Sequence, residues 1–248
     1  MMLPLLGART AGAQRTTHTN SGAWFVFSAD VAINDRWGML FDASARRSGP
    51  VDEAMANFVR GGIAYEVSEH VRVAAGANWS RSYPYGEIPS PTTTDERRVW
   101  QQVQIGHAIG RLDLSHRYRI EQRFRGRWRS SDDHQIDSWD RTNRFRYQVK
   151  GTLPLTGTSI EPGEAYVAAG NEIFLGIGGK VQNIFDQDRA TVAVGYRVTR
   201  NWRVEGWFLE QVIFKPNGTD VERNHTMTFS LAYSRAAPAA IIGTTPSR

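Results

Sequence analysis

Basic side chains recur at every second position through the middle of the chain. Arg117, Arg119, Arg123, Arg125 and Arg127 share one parity of a single run, and Arg144, Arg146 and Lys150 share one parity of the next. Guanidinium groups at this spacing bind oxyanions bidentately, whether a carboxylate of the protein or the phosphate or carboxylate of a solute. Asp113, Glu121, Glu164 and Glu172 are the nearest acidic candidates. Two arrangements follow. One is a cationic wall that favours a small anionic solute; the other is an Arg–carboxylate network that braces the protein and partly blocks its interior. The two are compatible, with surplus arginines lining a residual path.

Other chemistries find less support. A lipid hydrolase needs Ser and His on one face of a strand, and none of the six histidines has Ser two residues on. Ser115 and His116 are adjacent, so they point to opposite faces, and His107, His116 and His225 read as packing residues. No Cys/His cluster for a metal and no glycine-rich phosphate loop is present, so no cofactor is expected. The basic run is interleaved with Leu, Tyr, Ile and Phe, which an arginine-rich nucleic-acid segment does not need, so no nucleic-acid partner is expected.

The element that carries the basic run is residues 112–128, LDLSHRYRIEQRFRGRW. Its period of two is that of an extended strand with one charged and one apolar face. Strands of soluble proteins mostly stop near ~5–6 residues, so a run this long predicts a strand that crosses a bilayer and projects beyond it. Ten further segments alternate in the same way: 22–34, 37–47, 58–67, 71–81, 97–107, 141–153, 163–175, 189–198, 202–212 and 224–234. Short turns at 34–36, 68–70 and 199–201 alternate with long connections at 48–56, 82–96 and 129–138 down much of the chain. That asymmetry belongs to an up-and-down transmembrane β-barrel.

Eleven segments are countable, whereas bacterial single-chain barrels have even strand numbers. About twelve strands are therefore expected. Either residues 14–22 contribute pairing, or 163–181 hides two short strands. Trp37 and Trp202 follow short turns, while Trp79, Trp128 and Trp139 sit beside long loops, as two aromatic girdles at the membrane surfaces require. A soluble lipocalin-like barrel has the same alternation inverted. Long strands, loops of alternating length and arginine-heavy polar faces favour lipid outside.

The bulk numbers are consistent with this. Of 248 residues, Lys and Arg supply 30 against 25 Asp and Glu, and only Lys150, Lys180 and Lys215 are lysines. Mean hydropathy is −0.45, yet only alternate residues of a barrel strand meet lipid, so the average is uninformative. No apolar run reaches the ~20 residues of a membrane helix. Residues 1–13 read as the remnant of a truncated secretory signal, 14–234 as the barrel and 235–248 as a C-terminal tail.

Several residues together resemble a bacterial outer-membrane family of unknown function, the domain of unknown function 2490. They are the run from Arg117 to Arg123, Asn143 to Tyr147, Asn171-Glu172 with Phe174, Arg189, Asn224-His225, and Trp24 and Trp37 early on. The similarity covers roughly residues 22–234. It implies an outer-membrane barrel of a Gram-negative cell, with outer-membrane lipid and the barrel-assembly machinery as partners, and it supplies no activity. Related chains tend to end on an aromatic residue, whereas fifteen residues follow Tyr233 here.

Overall fold

The computed structural model of the chain describes residues 15–235 except 50, 131, 132, 137, 179, 180 and 182. The expected signal remnant at 1–13 lies outside the described residues, and of the expected tail only Arg235 lies within them. The alternating segments form eleven strands: β1 (Thr16–Ala32), β2 (Trp37–Ser48), β3 (Glu53–Glu66), β4 (Val71–Ser82), β5 (Thr94–Ile109), β6 (Leu112–Arg127), β7 (Trp139–Pro154), β8 (Ala165–Ile177), β9 (Phe185–Arg197), β10 (Trp202–Phe214) and β11 (Asp220–Arg235). Each pairs antiparallel with its neighbour in sequence, and the sheet closes into a barrel.

An up-and-down meander with an odd number of strands brings its first and last strands together pointing the same way. Accordingly β1 pairs β11 in parallel, from Thr16↔Asp220 to Val31↔Arg235. The expectation of a twelfth strand is corrected here. Residues 16–21 lengthen β1, and the described residues of 163–181 hold the single strand β8. Even numbering presumes an antiparallel closing pair; a parallel ladder satisfies the same edge hydrogen bonds at odd count.

Connections at 33–36, 67–70, 110–111, 155–164 and 198–201 gather at one end, the turn end. Those at 49–52, 83–93, 128–138, 178–184 and 215–219 gather at the other, the loop end. Two lengths differ from the sequence reading: 49–52 is short because β3 begins at Glu53, and the turn end carries the ten-residue connection 155–164.

Polarity is inverted relative to a soluble barrel. Ile120 is 46% exposed and Phe229 52%, whereas Arg119 is 2% and Glu121 1% exposed. On β1, β2, β4, β6 and β7 the outward positions run apolar, apart from His116 and Gly151, for nine residues from the turn end: 23–31, 37–45, 71–79, 112–120 and 145–153. Ser21, Arg47, Arg81, Gln122 and Asn143 then begin a polar outer band towards the loop end. On β10 and β11 the apolar run is shorter, 202–208 and 227–233, before Glu210 and His225.

Inside the barrel, aromatic rings lie flat where a facing strand has glycine. Tyr166, 1% exposed, donates its hydroxyl to Glu205 Oε1 at 2.7 Å and lies against Gly195, its partner in register. A Cβ on Gly195 would meet the Tyr166 ring at 2.2 Å. Gly195→Ala is therefore expected to destabilise the barrel by about 1–3 kcal/mol, and to cost much less when Tyr166 is already Ala. Denaturant unfolding of the four proteins of that double-mutant cycle checks this; strictly additive effects would contradict it.

Candidate functional site

The site is the charged interior. Inward positions of β5 to β8 put one row of alternating side chains beside the next. Cross-strand neighbours therefore include Trp100↔Glu121 and Gln102↔Arg119 on one side of β6, and Arg144↔Glu121 and Arg146↔Arg119 on the other. Three buried glutamates hold seven arginines there. Glu121 Oε2 accepts from Arg144 Nε at 3.0 Å and Nη2 at 2.7 Å, and its Oε1 accepts from Arg146 Nη1 at 2.6 Å. Glu172 Oε1 accepts from Arg146 Nε at 3.0 Å and from Arg117 Nη2 at 2.8 Å. Glu96 accepts from Arg123 Nε at 2.6 Å and Nη2 at 3.0 Å, pairs with Arg98, and has Arg125 Nε at 3.4 Å.

Aromatic rings fill the spaces between these charges. Trp100 is fully buried, with the Arg119 guanidinium 4.8 Å and that of Arg60 5.7 Å from its ring. It is accommodated because β3 and β4 present Gly62 and Gly76, at either of which a Cβ would come within 2.6 Å of the ring. Arg119 also gives Nε and Nη2 to Gln102 Oε1, at 3.1 and 2.5 Å. Phe174 is packed against Arg146, Arg189 and Arg144 at 4.4, 4.8 and 5.0 Å.

Among the described residues, a cavity opens at each end of the network. The one at the loop end, about 820 Å³, is lined by Trp24, Arg46, Arg123, Arg125, Arg127 and Arg189 among others. The turn-end cavity, about 330 Å³, takes in Glu66, Arg72, Arg119 and Lys150. Both are lined by Asp42, Arg60 and Arg117, and Arg60 Nε donates to Asp42 Oδ2 at 2.8 Å. The 83–93 loop folds over the wider mouth. Tyr85 donates to Glu222 Oε1 at 2.5 Å, and Glu87 N donates to Asn20 Oδ1 at 3.0 Å. Burial, and then the Glu222 carboxylate, push the Tyr85 phenol above its ordinary pKa, so it stays a donor.

The residues singled out from sequence divide into several groups. Arg117, Arg119, Arg123, Arg125, Arg144, Arg146, Glu121 and Glu172 meet in the network. Arg127 rims the loop-end cavity, and Lys150 Nζ lies 4.6 Å from the Trp207 ring. Asp113 is half-buried at the turn end with no ion pair among the described residues. Glu164 is a correction: it precedes β8, accepting from Thr156 Oγ1 at 3.2 Å and from the Glu161 backbone, because the strand starts one residue later.

Of the aromatic residues, Trp37 and Trp202 stand on the outer face at the turn end, against Tyr65 and Tyr233. Trp79 is exposed, and Trp139 meets the Arg97 guanidinium at 4.6 Å. Trp128 differs from expectation. It follows β6, is 8% exposed, donates Nε1 to Asp95 Oδ2 at 3.3 Å and packs under His134, so a loop covers it. Ser115 Oγ accepts from Gln104 inside the barrel while His116 meets Tyr147 outside, which separates the only adjacent Ser–His pair.

Glu96, Asp42, Arg46, Arg60 and Arg189 were missed as site residues. The alternation Glu96, Arg98, Trp100, Gln102 against Val99 and Val103 carried the signal for Glu96, one position before the segment counted as a strand. Removing a shared buried carboxylate leaves desolvated cations unpaired, so Glu121→Ala is expected to cost about 3–5 kcal/mol. Arg125→Ala, at a side chain 43% exposed, is expected to cost less than about 1 kcal/mol. Urea unfolding in detergent measures both, and equal effects would contradict the assignment.

The model of the family described as protein of unknown function (DUF2490) matches residues 21–222. No curated protein and no solved structure matches the chain. The match spans the barrel from β1 into β11, including the Glu96, Glu121 and Glu172 clusters; the chain belongs to the DUF2490 family of proteins of unknown function.

Proposed function

We propose that the protein is an outer-membrane β-barrel of a Gram-negative cell, with its loops outward, occluded at mid-height by the Arg–Glu network. Its cationic outer vestibule receives small anionic solutes. The observation that carries the membrane reading is the outer apolar band, nine residues tall on five strands. A β-strand crossing a bilayer needs ~9–11 residues. Exposed Phe25, Met39, Val59, Ile63 and Phe229 have no role on a water-facing wall, whereas lipid accommodates them. The hollow of about 920 Å³ on the outer wall, floored by Ala43 and Ala45 and edged by Phe25 and Phe229, belongs to this band and suits acyl chains.

The interior supports the solute reading. Cationic side chains lining the loop-end cavity number eleven against five carboxylates. A vestibule of that sign concentrates anions and repels cations. The network behind it leaves no porin-sized bore, so any transit is narrow and the brace is the larger part of what the interior does.

Purified protein is expected to show heat-modifiable gel mobility and, in a planar bilayer, only a small anion-preferring conductance. Arg125→Gln with Arg127→Gln is expected to lower that preference while mobility stays heat-modifiable. A large steady conductance, or cation preference, would overturn the occluded anion-selective vestibule. Full solubility without detergent would overturn the membrane reading.

A further inference from the structure

Two arginines border the network without bonding its carboxylates, Arg189 standing opposite Glu172 in the β8–β9 ladder. Arg46 of β2 and Arg189 of β9 point into the loop-end cavity from either side of β1, and Trp24 of β1 lies between them in the wall. The Trp24 ring centre is 3.9 Å from the Arg46 guanidinium and 5.3 Å from that of Arg189. Among the described residues neither forms an ion pair. Arg46 Nε reaches only Ser44 Oγ at 3.4 Å, and Arg189 is met by the Gln187 amide, whose oxygen, so oriented, accepts at 2.5 and 3.0 Å. Trp24 is 5% exposed and offers these two groups its ring face.

Elsewhere in this barrel buried arginines bond carboxylates directly, so two guanidinium groups that bond none and line a cavity mark a place where an anion is supplied from outside. We infer that the loop-end cavity binds a phosphate-bearing small molecule, its phosphate held by the guanidinium groups of Arg46 and Arg189. A phosphate monoester has three terminal oxygens and can meet two guanidinium groups at once, whereas a carboxylate has only two. A volume of about 820 Å³ leaves room for an organic body. Met55, Phe58, Tyr83 and Tyr85 give that body apolar and aromatic walls, and Tyr85 ties the 83–93 loop across the mouth above it. This deepens the proposal that anionic solutes enter the vestibule, and names their class.

Titration calorimetry of the full chain in detergent, with glucose 6-phosphate, inorganic phosphate and glucose as probes, tests it. Glucose 6-phosphate is expected to bind saturably, more tightly than inorganic phosphate, and glucose not at all. Arg46→Gln and Arg189→Gln should each weaken binding at least about tenfold, while Arg189→Lys, which keeps the charge, should stay within a few-fold. No saturable binding of either phosphate would overturn the inference. So would affinity unchanged by Arg189→Gln in protein that keeps its heat-modifiable mobility. Equal affinity for inorganic phosphate and the sugar phosphate would overturn the part played by the organic body. Binding in detergent depends on neither conductance nor membrane location, so its failure leaves the membrane reading standing, and a silent bilayer leaves this inference standing.

Discussion

Everything inside this barrel is constrained by the mismatch between guanidinium groups and the carboxylates available to neutralise them. Alternation along β6 and β7 commits five side chains of like sign, Arg117, Arg119, Arg123, Arg144 and Arg146, to one enclosed wall. Unneutralised they would drive the strands apart. Glu121 sits within that wall, with Glu96 on β5 and Glu172 on β8 beside it, and each accepts from more than one arginine. Three carboxylates thereby tie four strands by their side chains as well as by their ladders.

The same constraint explains the distribution of rings and glycines. A charged interior with residual space would fill with water and weaken each pair. Trp100, Phe174 and Trp24 occupy that space with flat surfaces that also attract cations, and Gly62 and Gly76 let the largest ring lie against the wall. Polar groups inside and apolar groups outside are two consequences of one alternation, so the outer band and the inner network stand or fall together.

Much of this was legible in the sequence, for a physical reason: a period of two survives in every strand whatever its neighbours. The faces of β6 and β7 and the inward arginines follow from it; the loop asymmetry was legible only in part, because 49–52 is short and 155–164 is long. Where the sequence reading failed, the deciding fact was non-local. That β1 closes on β11 in parallel depends on how many strands meet around a ring, which no single segment encodes. Glu96 and Asp42 lie on strands whose polar faces look ordinary until β6 and β3 are set beside them. Trp128 carries the residue type of a girdle, but the connection after β6 folds over it. Arg46 and Arg189 are about 140 residues apart in sequence, and only barrel closure brings both against Trp24.

The central claim is the direction of the two faces. The chain has no cysteine, so single-cysteine variants report on one position each. In protein reconstituted into liposomes, thiols introduced by Ile120→Cys, Ile63→Cys and Phe229→Cys should react with a membrane-soluble maleimide and resist a charged, water-soluble one, while a thiol at exposed Glu87 should show the reverse. Ready labelling of the first three by the water-soluble reagent would contradict the account, because those positions would then face water where the account places lipid.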